Sequence, residues 1–464
     1  MSASQTIRNE IAEALSGNEI YASNHRRWQF LYESYMGGDD YRRGQHLTRY
    51  QLETDAEYNA RLAVTPLENH CASVVSVYNS FLFKQPVLRD LGTLTGLPET
   101  LDFIKDADLE GRTFDAFMRE VATWSEVFGA VWIMVSKPNV SAMTLAEEQA
   151  LGVRPYVSIL TPLVVTDWTW QRDISGRYQL SYLKYLEDVN GDVKTVKEWY
   201  TDRIRTRIVN EKDNLILEDY TEANGLGVIP AVIAYHSRST VRGLGISAIS
   251  DIADAQKFIY NSTSEVAQSI ALDSHPSIVT TQTTDIGTGA GAVIRLPENL
   301  DPNLKPYVLD FAGASISNIY ESIRHTIDSI EKMACIGGVR ATESRTLSGV
   351  ALEVEFGLLN AKLSMIADNL ELAEEQIWRL FCQYQGRTYD GTIHYPDNFN
   401  VRDNMRELSE LEKARALTTD PQLLSEINAR IADILEVENY VQEQSDATDS
   451  EKEKINGLST FTSR

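Results

Sequence analysis

The chain has 464 residues, 43% hydrophobic and 24% charged, a globular balance long enough for two or three folding units. Its 67 acidic and 43 basic residues give a formal charge of −24, which repels nucleic acid at long range and argues against a sequence-reading DNA binder. Cys71, Cys335 and Cys382 are odd in number and far apart, which excludes a disulfide framework and suits a reducing compartment.

The first residues, MSASQTIRNEIAEAL, lack the apolar stretch of a secretory signal. Apolar runs such as Ala130 to Val135 are far too short for a membrane span. The expectation is therefore a cytosolic chain with no membrane partner. Residues 1–90 read as helices, with Trp28, Leu31, Tyr32 and Tyr35 on one face. Met36-Gly37-Gly38-Asp39-Asp40 reads as a loop. A second helix is expected from Thr54 to Leu62, and a third from about Pro66 to just before Pro86. Phe103, Leu109, Phe114, Phe117, Val121 and Trp124 predict one helix over 100–128.

The period then changes from helical to alternating. The run AVWIMVS after Gly129 reads as a buried strand. Further strands are predicted at 156–159, 164–170, 178–185, 194–200 and 204–209, with Asn190-Gly191 as a hairpin turn. Residues 129–236 are thus expected to be mostly antiparallel β. Trp168 and Trp170 share one strand face, an arrangement that fits core or interface packing better than a sugar platform.

Helical spacing returns from Gly245, through Ile249, Ile252, Ile259, Val266 and Ile270. A second helix carries Ile316, Tyr320, Ile323, Ile327, Ile330 and Ala334, and Ile336-Gly337-Gly338 stops it. From Leu352 through Phe356, Leu359, Leu363, Ile366, Leu370, Ala373 and Ile377 to Leu380 the chain keeps a 4–3 step, the mark of a packing seam. Gly386 ends that helix. Residues 405–440 read as one or two helices split at Asp420-Pro421, and 442–464 as a polar, disordered tail. Cys71 and Cys382 fall in helical patterns and are expected to be core thiols.

The chemistry-bearing motifs are missing. There is no P-loop, and Gly287-Thr288-Gly289-Ala290-Gly291 lacks dinucleotide-binding spacing. No HExxH, CxxC or GxSxG occurs, and seven scattered histidines give no metal site. Neither a cofactor nor catalysis is expected, although 67 carboxylates leave a two-carboxylate hydrolase open. Arg340 and Arg345 sit in a polar stretch between two long helices, either as solvated charges or as a loop that touches phosphates.

The order of these parts resembles the portal proteins, or head-to-tail connectors, of tailed bacteriophages over nearly the whole chain. The residues that carry the resemblance include Trp28, Tyr35, Gly38-Asp39, Tyr41, Tyr58-Asn59-Ala60-Arg61-Leu62, Asn69 and Phe83-Lys84-Gln85-Pro86. They continue with 103–111, Phe117, Gly129, Arg154-Pro155-Tyr156, Thr166-Asp167-Trp168, Ile229-Pro230-Ala231-Val232 and Ser348-Gly349-Val350-Ala351-Leu352. The resemblance implies an α+β portal fold. Its wing would be 1–244, helical over 1–128 and β-rich over 129–236. Stem helices would be 245–272 and 314–335, with a clip at 273–313. A tunnel loop at 336–346, a long wing helix and return at 347–404 and a crown at 405–441 would follow, and the tail 442–464 has no family counterpart.

It further implies a homo-oligomeric ring, dodecameric in the virion, at the capsid portal vertex and assembled in the host cytoplasm. Such a ring passes double-stranded DNA without sequence preference. Its partners would be the major capsid protein, the terminase large subunit and a neck or adaptor protein. Tunnel-loop candidates are Gly337, Gly338, Arg340, Thr342 and Arg345. Asp251, Asp254, Glu321, Asp328 and Glu331 on the stem helices would form an acidic channel wall that limits DNA adhesion. The competing readings are a cytosolic hydrolase with an unrecognised carboxylate site and a coiled-coil assembly scaffold. The scaffold reading leaves the β region unexplained.

Overall fold

The computed structural model describes residues 3–138, 147, 151–274, 278–279, 301, 307–308, 314–337, 349–397, 399, 404–418 and 420–434. It is α+β and divides into two units, residues 1–399 and 400–464.

The first unit opens with five helices: α1 (Ala3–Leu15), α2 (Glu19–Met36), α3 (Gly38–Arg43), α4 (Asp55–Val64) and α5 (His70–Leu82). Side-chain caps set several of their starts. Asn18 accepts from Tyr21 N, Thr54 and Glu57 form a reciprocal capping box, and Asn69 accepts from Ala72 N. The Asn69 cap explains why the third predicted helix begins after Pro66 rather than at it. Residues 36–40 do not form the expected loop. α3 starts at Gly38, with Asp39 and Asp40 in its first turn and Arg42 and Arg43 in its last, each charge complementing the helix dipole.

Residues 100–128 also differ from expectation. They form α6 (Pro98–Lys105) and α7 (Phe114–Phe128) rather than one helix. Asp108 accepts from Glu110 N and Arg112 N and folds 106–113 into a turn, and Leu109 is left exposed at φ 66. Thr113 then caps α7.

Two antiparallel sheets follow. In the first, β2 (Ala130–Ser136) lies between β3 (Tyr156–Leu160) and β9 (Ala231–Tyr235). The second is a meander of β4 (Val165–Arg172), β5 (Tyr178–Asn190), β6 (Val193–Tyr200), β7 (Arg203–Asn210) and β8 (Leu215–Ala223). The hairpin at Asn190-Gly191 is formed, with Asn190 opposite Val193. Trp168 and Trp170 pack against Trp132 at 5.8 and 6.3 Å, so their shared face serves packing between the sheets. A short antiparallel pair, β1 (Leu88–Asp90) with β12 (Thr392–His394), joins the N-terminal helices to the far end of the unit.

Three long helices complete the unit: α8 (Ser250–Ser274), α9 (Ala314–Ala334) and the 36-residue α10 (Gly349–Tyr384). In α10 the seam Leu359, Leu363, Ile366, Leu370, Ala373 and Ile377 is buried, each large side chain contributing about 1.5–3 kcal/mol. Trp378 packs against Phe103, Phe114 and Phe381. Buried Glu374 accepts from Arg89, Tyr395 and Trp378, which ties α10 to β1 and to the segment after β12. Cys71 and Cys382 are buried core thiols. The second unit contains α11 (Asn404–Leu417) and α12 (Pro421–Ile434), divided at Asp420-Pro421, and 435–464 lie outside the described residues.

α8 is launched from one backbone contact. A Cβ on Gly245 would meet the Gly129 carbonyl oxygen at 1.8 Å, and Gly129, at φ 88, ends α7 in the left-handed region. The carbonyls that α7 leaves unpaired are taken up by the strand entering α8. Ala248 N donates to Glu126 O (2.8 Å), and Ser247 Oγ donates to Val127 O (2.7 Å). Gly245→Ala is therefore expected to lower unfolding stability by about 3 kcal/mol or more. Gly225→Ala, where nothing lies within 4 Å, should stay within about 0.5 kcal/mol of wild type in the same urea titration.

Candidate functional site

The helix pair α8–α9 holds the acidic residues to which the sequence points. The two helices pack against each other, and the segment between them carries an antiparallel bridge of Ile278–Val279 with Tyr307–Val308, here β10 and β11. The arrangement is a helical hairpin, with α8 about 37 Å long at 1.5 Å per residue.

Polar side chains fasten α8 along its length to the N-terminal helices. Arg27 donates to both Asp254 carboxylate oxygens (2.9 and 2.8 Å) and to Ser250 O. Buried Gln256 accepts from Cys71 N (2.9 Å) and donates to Ser34 O (3.0 Å), so one amide joins α8 to α2 and α5. Asn261 accepts from Thr48 N and donates to His46 O. Arg61, paired with Glu53, donates to Ser264 Oγ at 3.1 Å. Tyr41 meets Tyr260 edge-on at 5.2 Å.

Asp251 and Asp254 are exposed near the start of α8, with Asp254 paired to Arg27. Glu321 is exposed on α9, while Asp328 and Glu331 are half-buried there. The antiparallel packing brings the first two level with the end of α9 that carries Asp328 and Glu331, and Glu321 lies farther along the pair. Gly337 follows α9, where an added Cβ would meet Glu355 Oε2 at 2.9 Å. Gly338, Arg340, Thr342 and Arg345 lie outside the described residues, as does most of 273–313.

The end of α9 is built around groups the sequence reading passed over. Ile336 N donates to Glu331 O and Cys335 N to Lys332 O, a Schellman closure with Cys335 at φ 58. Tyr78 Oη donates to the terminal carbonyl of Ala334 (2.6 Å) and accepts from Lys362 Nζ (2.7 Å). One hydroxyl therefore links α5, α9 and α10. Beside it, Glu126 is fully buried. Asn79 donates to its Oε2 (3.2 Å), and Oε1 has no partner among the described residues. Burial pushes the Glu126 carboxyl well above the usual carboxylate range, with the Lys362 ammonium pulling the other way. Burial also lowers Lys362. His236, buried on the same side, is pushed down to about 3 by desolvation and then by Lys362. Gln256 had a sequence signal, since it falls at the 4–3 step between Ile252 and Ile259. Tyr78, Glu126, His236 and Lys362 are separated along the chain, and only the fold brings them together.

Among the described residues no cluster of His, Cys, Asp and Glu could hold a metal, and no helix is long and apolar enough to cross a membrane. No protein-family model and no curated protein matches the chain. Solved structures similar to it include three from gene transfer agent particles. A chain from the virion of a native gene transfer agent particle is 10% identical, with 83% of this chain and 97% of that one covered at TM-score 0.41. One from the neck of an empty particle, computed with C6 symmetry, is 11% identical over 79% and 91% at TM-score 0.44. One from the neck of a native particle, computed with C12 symmetry, is 12% identical over 75% and 84% at TM-score 0.39.

The two buried groups make opposite pH predictions. Folded His236 stays neutral while the unfolded chain takes up a proton below about 6.5, so its stabilising effect is lost as pH falls from there towards about 3. Folded Glu126 keeps its proton, so its effect is lost as pH rises above about 4.5. In His236→Gln, unfolding stability should fall with rising pH between about 5 and 6.5; in Glu126→Gln it should fall with acidification over the same window, by up to about 1.4 kcal/mol per unit. Urea midpoints measured across that range check both signs.

Proposed function

We propose that the chain is a structural protein of the head–tail region of a phage-like particle, and that within that class it is the portal subunit. A ring of copies, twelve in the virion, would conduct double-stranded DNA into and out of the capsid without turnover of its own. Its contacts would be the major capsid protein, the terminase large subunit and a neck or adaptor protein.

The observation that carries this reading is the order of elements. A β-rich region is followed by a long helix, a short antiparallel bridge, a second helix packed on the first and then a 36-residue helix. This is the succession of wing, stem, clip, stem and wing helix that the sequence resemblance implies. The α8–α9 hairpin also has the chemistry of a wall element. Its inner faces are apolar and polar-stitched to a rigid layer, and its exposed positions include Asp251. Unpaired carboxylates facing a channel would keep passing phosphates from adhering. Arg340 or Arg345, in a tunnel loop with Gly337, Gly338 and Thr342, is proposed to make brief phosphate contacts between the second stem helix and the long helix.

Light scattering on a sizing column, with negative-stain images, tests the reading. The expected particle is a holed ring near 625 kDa, for roughly twelve chains of 52.1 kDa. A discrete dimer or a fibre would instead favour a coiled-coil scaffold, and a stable monomer whose turnover is abolished by one carboxylate substitution would favour a hydrolase. Arg340→Ala with Arg345→Ala should leave ring mass unchanged and lower DNA packaging or retention.

A further inference from the structure

Between α2, the turn after α3 and α8 lies an open cleft of about 600 Å³, bordered by Arg26, Arg27, Phe30, Glu33, His46 and Lys257. Its carboxylates are already engaged. Asp254 receives two N–H groups of Arg27, and Glu33 faces His46 Nε2 at 2.7 Å and accepts from Gln29 Nε2 at 2.9 Å. Burial lowers the basicity of His46, which favours its neutral form. Arg26 and Lys257 have no carboxylate partner among the described residues. Phe30 lies between the cations, its ring centroid 5.2 Å from Arg27 Cζ and 5.7 Å from Lys257 Nζ. One turn beyond Asp254, Phe258 is 47% exposed. The charge left uncommitted in the cleft is thus positive, in a chain whose formal charge is −24.

We infer that this cleft receives carboxylate side chains of a second copy of the chain, and forms one half of the interface that closes the assembly. The inference rests on the ring reading and assigns that ring a specific contact. A closed ring requires each copy to present two different, complementary patches. The cleft and Phe258 supply one of them: guanidinium and ammonium donors beside an apolar anchor, the composition that dominates interface energetics. The chain itself supplies an acidic counterpart on the other helix of the pair. Glu321 on α9 is exposed without an ion pair among the described residues, and Tyr320, 51% exposed, adjoins it. Charge complementarity therefore selects a second copy as the occupant.

The test uses the full chain and two double variants, Arg26→Glu with Lys257→Glu and the milder Arg26→Gln with Lys257→Gln. Circular dichroism and thermal midpoints check that each is folded, and light scattering across protein concentration at low and high salt reads assembly. Wild type should form rings that weaken with salt. The Gln pair should need at least about tenfold more protein to assemble, and the Glu pair should stay monomeric. Variants that assemble at the wild-type concentration with the wild-type salt dependence overturn the inference. If they assemble normally but lose binding to heparin that wild type retains, the occupant is an external polyanion and the inference again fails. Wild type that remains monomeric throughout instead removes the ring reading itself.

Discussion

The meeting of Gly129 and Gly245 is the constraint on which the rest of the first unit depends. Two backbones approach there more closely than any side chain permits. The end of α7, the start of β2 and the entry to α8 are consequently fixed in one place. His236 N closes the same junction by donating to Gly129 O at 2.9 Å. The direction of α8 follows from this joint, and α9 follows from α8. A helix that projected from a flexible loop could not hold a set orientation; one whose entry is hydrogen-bonded to the last turn of α7 can.

Beyond that joint, α8 is held by polar groups spaced along one side. Gln256, Asn261 and Ser264 each satisfy backbone or side-chain partners on the N-terminal helices or the loop between α3 and α4. Individually such bonds contribute about 1 kcal/mol net, but an unmatched buried amide costs more, so they penalise any sliding of α8. At the same end of the hairpin, where α9 finishes, Tyr78 satisfies the Ala334 carbonyl while Lys362 on α10 satisfies Tyr78. Around it, burial favours the protonated Glu126 carboxyl and the neutral His236 imidazole, and it lowers the basicity of Lys362.

The sequence made long-period features legible and short-range turn chemistry less so. The stripes Ile249–Val266, Ile316–Ala334 and Leu359–Ile377 predicted three helices because each buries one face over many turns, and a long sum survives local exceptions. The break between α6 and α7 escaped notice because Phe103 and Phe114 do share a core. Periodicity alone could not register that Asp108 folds the residues between them into a turn. The β region was recognised, yet β8 was not picked out, since LILEDYTEA has an almost wholly exposed pattern and no buried face to create alternation. At the candidate site, the exposed acids could be named from helical phase. Their partners could not, because Arg27 lies 227 positions from Asp254 and Tyr78 lies 284 from Lys362.

The position of β8 has a consequence for the proposed ring. It is the last strand of its sheet, and Leu215, Leu217 and Tyr220 on it are exposed. An open hydrophobic edge of this kind is a template for strand addition and hence for aggregation, a hazard that grows with local concentration. Glu218, Asp219 and Glu222 interrupt it, and Arg205 draws Asp219 back towards β7 through two hydrogen bonds of 2.9 and 2.7 Å. Two such edges brought together would set like charges close to one another. In the proposed ring this would disfavour β-pairing between copies and leave their helices to meet.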